Sequence, residues 1–429
     1  MATSTQDMVR PGECVDLYYY DAETSKKQCF PTTQNTKYVQ QFANLTGGSS
    51  VFTIPPANGI QDIVLEFVMP ALTGSPSATG LALPRGWGYA LIKQVSFRYG
   101  GSSQYFLTGD QILQNALRRQ PSRGTGNDLF TLGGNAVIGA SGSGATPGWT
   151  TAQIANVVLT LPHNVPTAFG KAHPLPTDLL TQQTQITVEL YPISQIVSVG
   201  NTATSADVVP TALTSANFCV QQVMLNNQGD ALARRVDMAT NAYAFPCEFV
   251  QQVQRINLAN TASQQSVVLT GFRSGEVKSL QCWLNRTSDS PQNAQTYLTQ
   301  NLNNPFNWVL PTGSIIMTYA GDIYARYDNA SSPLFNLVNG TKAPVIDNVI
   351  LGAANAASSG TSLWFELPFA QTQLDEDSHN TLVHGKPITN GIINLQLTTP
   401  TAQSDWILNV SYVYNSTLLF SQGTADYVF

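Results

Sequence analysis

Charge is what this chain has least of. Asp, Glu, Lys and Arg make up 11% of its 429 residues, against roughly 25% in an ordinary soluble protein. The shortage does not mean disorder, which needs low hydrophobicity and high net charge, because 42% of the residues are hydrophobic. It means folded surfaces that are polar and neutral, with Gln, Asn, Ser and Thr supplying roughly a third of the chain. Charge repulsion keeps soluble molecules apart, so such a surface suits a protein that packs against copies of itself. Basic residues are also few. The net charge is −6, and the first thirty residues set Arg10, Lys26 and Lys27 against Asp7, Glu13, Asp16, Asp21 and Glu23. Phosphate neutralisation needs clustered Lys and Arg, so no sequence-specific nucleic-acid binding is expected.

Cysteine is sparse and unpatterned. Cys14, Cys29, Cys219, Cys247 and Cys282 contain no CxxC pair, and their odd number reads as reduced thiols rather than a disulfide framework. No charged n-region and apolar h-region open the sequence, so no secretory signal is expected. No apolar run approaches the roughly 18 residues of a membrane span. Six N-x-S/T sequons begin at Asn44, Asn285, Asn329, Asn339, Asn409 and Asn415. An Asn-rich chain yields about that many by chance, so glycosylation is not indicated.

Catalytic patterns are missing as well. The run Gly139 to Gly144 lacks the GK[ST] ending of a phosphate loop and the GxSxG spacing of a nucleophile elbow. His163 and His173 sit among prolines, and no HExxH appears. The nearest thing to a constellation is Asp375-Glu376-Asp377 with His379 and His384, which could hold a divalent metal or polarise an imidazole. Its polar surroundings read instead as a solvated loop. No catalytic, cofactor-binding or metal residue is assigned, and no cofactor is expected. Trp87, Trp149, Trp283, Trp308, Trp364 and Trp406 could stack on sugars, but single tryptophans among apolar neighbours read as core and interface anchors.

What is present is alternation with period two. Val95, Phe97 and Tyr99 share one face and Gln94, Ser96 and Arg98 the other. Ile186, Val188 and Leu190 alternate with Thr187 and Glu189. Phe365, Leu367 and Phe369 alternate with Trp364 and Glu366, and Leu408, Val410, Tyr412 and Tyr414 with Asn409 and Ser411. Half-buried strands bounded by Gly, Pro and Asn give an all-β fold of antiparallel sheets packed face to face. Two helices interrupt it. Thr108-Gly109-Asp110 offers caps for a stripe of Ile112, Leu113, Ala116 and Leu117, with Arg118-Arg119 favouring the negative end before Pro121. Asp230 caps a second helix over 231–236, placed midway along the chain. Polar stretches at 124–148, 286–304 and 353–361 are long enough to reach a neighbour, and residues 1–30 read as an arm.

The chain also repeats an architecture. Val158 to Pro162 followed by the strand Gln185 to Pro192 has a counterpart in Trp364 to Pro368 followed by Ile393 to Pro400, with 206 residues between Leu161 and Leu367. The same shift sets Asp62 to Phe67 opposite Val267 to Phe272. Two similar β domains in tandem are a way to build a tile.

The segment Pro84-Arg85-Gly86-Trp87-Gly88-Tyr89-Ala90-Leu91-Ile92-Lys93-Gln94-Val95-Ser96-Phe97-Arg98-Tyr99-Gly100-Gly101 resembles the major capsid proteins of eukaryotic double-stranded DNA viruses of the iridovirus and phycodnavirus type and their smaller relatives. In that family an ALI-x-x-V strand, a Gly-Gly turn and a short helix follow one another, matched here up to residue 119. The Leu-Pro strand, Pro-rich loop and Q-x-x-I strand look like 161–190, the helix joining two barrels like 230–238, and the final strands like 405–420. The resemblance implies two tandem eight-stranded antiparallel jelly rolls with short connecting helices. It divides the chain into an arm (1–30), a first jelly roll (31–229), a connecting helix and linker (230–242) and a second jelly roll (243–429). It implies a non-enzymatic major capsid protein in the virion shell, whose homotrimers present six barrels in near-hexagonal outline. Its partners would be itself, neighbouring trimers, minor capsid and penton proteins, and an internal membrane reached through other proteins. Two other classes remain to be weighed: a secreted tandem β-sandwich that binds carbohydrate or mediates adhesion, and a β-rich hydrolase built on Asp375 and His379.

Overall fold

The structure is a computed structural model and describes residues 34–71, 82–84, 86–100, 105–119, 132–134, 137–138, 149, 151–159, 175–197, 210–224, 236, 242–259, 264–286, 308, 311–327, 346–347, 361–362, 364–369, 385–389, 392–399 and 406–429. The first half contributes β1 (Gln34–Gln41), β2 (Gly48–Ile54), β3 (Gly59–Met69), β4 (Ala82–Leu83), β5 (Ile92–Arg98), β6 (Tyr105–Leu107), β7 (Val137–Ile138), β8 (Gln153–Leu159), β9 (Thr184–Leu190) and β10 (Ser215–Met224), with helices α1 (Trp87–Leu91) and α2 (Gly109–Arg119). The second half contributes β11 (Tyr243–Val250), β12 (Gln254–Asn257), β13 (Gln265–Leu269), β14 (Gly275–Arg286), β15 (Thr312–Tyr319), β16 (Asp322–Tyr327), β17 (Ile346–Asp347), β18 (Thr361–Ser362), β19 (Phe365–Pro368), β20 (Lys386–Ile388), β21 (Ile393–Thr398), β22 (Trp406–Ser421) and β23 (Thr424–Val428).

These strands form the same pair of sheets twice. In the first half the orders are β1-β10-β3-β8 and β2-β9-β5-β6. In the second half they are β11-β22-β14-β19 and β13-β21-β15-β16, with β12 and β23 added to β22 and β20 added to β14. Taking the eight main strands of each half in turn, one sheet holds the first, eighth, third and sixth and the other the second, seventh, fourth and fifth. That is jelly-roll order, and every pairing is antiparallel.

The alternation read from sequence sets the inward faces. Val95, Phe97 and Tyr99 are buried, as are Ile186, Val188 and Leu190. In the first core, Phe52 stacks on Phe218 at 4.5 Å and meets Phe42 edge-on at 4.8 Å. Such pairs add roughly 0.5–1.5 kcal/mol each beyond the area they bury. In the second half, Trp308 lies 6.0 Å from Trp283 and meets Trp364 edge-on at 5.8 Å. Helix α2 buries Ile112, Leu113 and Ala116 against the first barrel. Its first residue is a glycine for a steric reason: a Cβ on Gly109 would collide with the Tyr89 carbonyl oxygen and lie 2.7 Å from that of Ile92.

Three expectations need correction. The segment opposite β3 is β14, not Val267 to Phe272, which belongs to β13 and the turn after it. A constant shift fails because the connecting loops differ: 216 residues separate Gly59 from Gly275, but 209 separate Thr184 from Ile393. The strand expected from Ala90 begins at Ile92, since α1 continues to Leu91. Finally, Asn409, Ser411, Trp364 and Glu366 alternate with core residues yet are themselves buried, so that sheet of the second barrel is covered on both faces. The helix expected at 231–236 lies outside the described residues but for Val236, as does the arm at 1–30.

Candidate functional site

The element that couples the barrels is α2. Its first turn is closed reciprocally: the Thr108 N–H donates to Gln111 Oε1 at 3.0 Å and the Gln111 N–H to Thr108 Oγ1 at 3.4 Å, a capping box. With its oxygen so engaged, the Gln111 amide turns its nitrogen to the second barrel. Nε2 donates to the Gln251 carbonyl at 2.8 Å and to Ser411 Oγ at 2.9 Å. One side chain thus caps a helix in the first barrel and binds the sheet of the second. Gln114 and Asn115 lie on the same helix face, three and four residues on. Both are buried, and so is Gln281, which pairs with Ser411 in register. None of these three amides has a hydrogen-bond partner among the described residues.

Two further contacts extend the seam. The Val250 N–H donates to the Tyr105 hydroxyl at 3.3 Å, while the Tyr105 ring meets Phe249 edge-on at 4.9 Å and lies 6.1 Å from Tyr427. At the other end, the Thr181 N–H and hydroxyl both donate to the Gly423 carbonyl, at 2.8 and 3.0 Å. Gly423 stands at φ 79° in the turn between β22 and β23, a left-handed conformation that glycine adopts without strain. All these bonds are between uncharged groups. Next to Gln111, burial raises the Asp110 carboxyl from its ordinary 3.8 to about 6 against the opposing charge of Arg255 on β12.

In the second half, Lys278 Nζ meets Glu248 Oε1 at 2.7 Å, with both side chains nearly buried, and the Ser279 hydroxyl donates to Glu366. Burial, reinforced by Glu366, pushes the Cys282 thiol far above its ordinary value, and burial raises Cys219 too. These thiols stay protonated at neutral pH and are poor nucleophiles. Burial likewise raises Tyr414, to about 12, against its bond to the Arg273 backbone.

The residues singled out in sequence fare unevenly. Asp375, Glu376, Asp377, His379 and His384, together with His163, His173 and Gly139 to Gly144, lie outside the described residues. Among the described residues no group of three or more His, Cys, Asp or Glu could hold a metal ion. All six tryptophans are buried, so none presents a face on which a sugar could stack. Cys219, Cys247 and Cys282 form no disulfide among the described residues. Of the sequons, Asn285, Asn409 and Asn415 are buried, and Asn409 Nδ2 donates to Asn285 Oδ1 at 2.8 Å. The seam itself was missed. The Thr108-x-x-Gln111 spacing was the one local signal for it.

No protein-family model matches the sequence, and no curated protein matches it either. Solved structures do. PBCV-1 VP54, as fitted into a cryo-EM reconstruction of the virophage Sputnik, is 14% identical with a TM-score of 0.58 over 92% of this chain and 97% of its own. The Faustovirus major capsid protein is 11% identical with a TM-score of 0.52 over 92% of each chain. A chain in the structure of the Sputnik virophage is 11% identical with a TM-score of 0.50, over 92% of this chain and 88% of that one. Sheet order repeated in both halves, and likeness over nearly the full length of each chain, give one conclusion: this chain has the double jelly-roll fold of the major capsid proteins of double-stranded DNA viruses.

Proposed function

We propose that the chain is a major capsid protein, a structural and non-enzymatic component of the virion shell whose homotrimers present six barrels and tile an icosahedral particle. The observation that carries the reading is the duplicated jelly roll locked by a buried seam. Two barrels held rigidly side by side make one third of a near-hexagonal tile, and three copies complete it. The low charge supports this, since neighbouring tiles must lie edge to edge without repulsion. We place the arm at 1–30, the barrels at 31–229 and 243–429, and the linker at 230–242. Contacts with minor capsid and penton proteins, and with an internal membrane through them, belong to the same proposal. The test is sedimentation velocity and negative-stain microscopy of the purified chain. Trimers of near-hexagonal outline are expected; a monomer at every concentration and salt overturns the reading.

A further inference from the structure

Three strands of the second half bring a lysine, a glutamate and an asparagine together on one buried face. The register sets Asn415 on β22 opposite both Glu248 on β11 and Glu276 on β14, so these three side chains share a face of the sheet. Lys278 stands on β14 at a break in register between Val277 and Ser279, and such a bulge re-aims a side chain. Its Nζ lies 2.7 Å from Glu248 Oε1. Strands β14 and β11 flank β22 on opposite sides, two strand spacings or about 10 Å apart. The lysine side chain therefore runs across β22 to reach its partner. Residues directly opposite stand about 5 Å apart at Cβ, which brings the amine held by Glu248 within reach of the Asn415 amide. Lys278, Glu248 and Asn415 are 9%, 6% and 9% exposed, and Val250 and Val413, the next outward pair along the same strands, are fully buried. The asparagine is also held in place. Its Nδ2 donates to Glu276 Oε1 at 2.9 Å, and that carboxylate accepts from the Gly385 N–H as well.

An amine is a nucleophile only after it gives up its proton, and Glu248 is placed to take it. We propose that Lys278 and Asn415 join in an intramolecular isopeptide bond, made by the chain itself in a single turnover. Glu248 accepts a proton from Nζ. The freed lone pair attacks Asn415 Cγ, forming the Nζ–Cγ bond as the carbonyl electron pair moves onto Oδ1. The carbonyl then re-forms, the Cγ–Nδ2 bond breaks, and Nδ2 departs from the side held by Glu276. Two of the three ammonium protons pass through Glu248 to the departing nitrogen, which leaves as ammonium. Atoms and charge balance with no other reactant. The ion pair is the reactant state, so the newly folded chain carries separate residues and the bond accumulates afterwards. The product ties together β22 and β14, the two central strands of the sheet. The inference does not depend on the shell reading above.

The experiment follows the purified full chain by intact mass spectrometry, from fresh preparation through about a week near neutral pH. The wild type should lose the mass of one ammonia, about 17 Da. Digestion under denaturing conditions should then release a branched peptide joining the segments that contain Lys278 and Asn415. Lys278→Arg keeps the positive charge but presents a guanidinium that stays protonated, and it should keep its full mass. Glu248→Gln keeps the shape and removes the base, so the loss should slow by about 100-fold or more. Circular dichroism checks that both variants fold, and the wild-type branched peptide decides the question even if they do not. The inference is overturned if the wild type keeps its full mass or gains the mass change of a deamidated side chain. It is overturned equally if the ammonia loss persists in Lys278→Arg, which would place a succinimide at another asparagine. An undiminished rate in folded Glu248→Gln removes Glu248 as the base and overturns the step as written.

Discussion

Replacing Gln111 by Met keeps the volume of the side chain and removes its polar atoms, which isolates what the seam contributes. Three hydrogen bonds of 3.0 Å or shorter are lost, that from the Thr108 N–H and those to the Gln251 carbonyl and Ser411 Oγ, along with a longer one from the Thr108 hydroxyl at 3.4 Å. At about 1 kcal/mol each, the loss is about 3 kcal/mol. The Gln251 residue is partly exposed, so water can take over its carbonyl and the figure is an upper one. Gln111→Glu separates the two roles, because a carboxylate still accepts from Thr108 but cannot donate across the seam. Stability is measured by urea denaturation at a protein concentration where wild type and variant have the same oligomeric state. A double-mutant cycle of Gln111→Met with Ser411→Ala should show coupling of about 1 kcal/mol, as expected for neighbours in one network. If Gln111→Met costs less than about 0.5 kcal/mol, or the cycle shows no coupling, the seam does not join the barrels as described.

Asp110 gives a pH dependence of known sign. Its folded carboxyl titrates near 6 rather than 3.8, so the stability it contributes is present in acid and lost as pH rises through about 6. Asp110→Asn should therefore stabilise the protein at pH 7.5 by about 1–2 kcal/mol, discounted for partial exposure, with the advantage gone below about pH 4 in urea melts at each pH. Lys278→Met removes the partner of buried Glu248 and should cost about 3 kcal/mol, whereas Lys278→Met with Glu248→Leu should recover most of it in thermal melts. Gly109→Ala forces a Cβ into the backbone of α1; the expected loss exceeds about 2 kcal/mol, read as a lower urea midpoint, and an unchanged midpoint contradicts the close approach.

Much of the barrel architecture was legible because alternation reports directly on a sheet with one wet face. Val95, Phe97 and Tyr99 behave that way, and so do Ile186, Val188 and Leu190. The helix at 109–119 was legible from its caps and its apolar stripe. The second barrel broke the rule at Asn409 and Ser411, whose polar side chains suggested solvent but meet, respectively, Asn285 and, from the other barrel, Gln111. Ser411 binds a residue 300 positions away, and no local pattern encodes such a meeting. The strand matched to β3 slipped for a related reason: loop lengths are set by what each loop touches, and a fixed shift cannot follow them. The double jelly roll was legible also in the resemblance carried by the Pro84 to Gly101 segment.

The strand order has a consequence for synthesis. β10 lies between β1 and β3, and Lys37 waits for Gln221 before it finds its place in the ladder. At roughly 5–20 residues per second, a ribosome needs about 10 to 40 s to cover that interval. During this time the nascent first sheet is open along its middle, and polysomes hold many such intermediates close together. Neutral amide-rich strands give them little mutual repulsion. The cell producing this protein therefore has to shelter the half-made chain, and expression should respond strongly to chaperone supply and to slower translation in the cold.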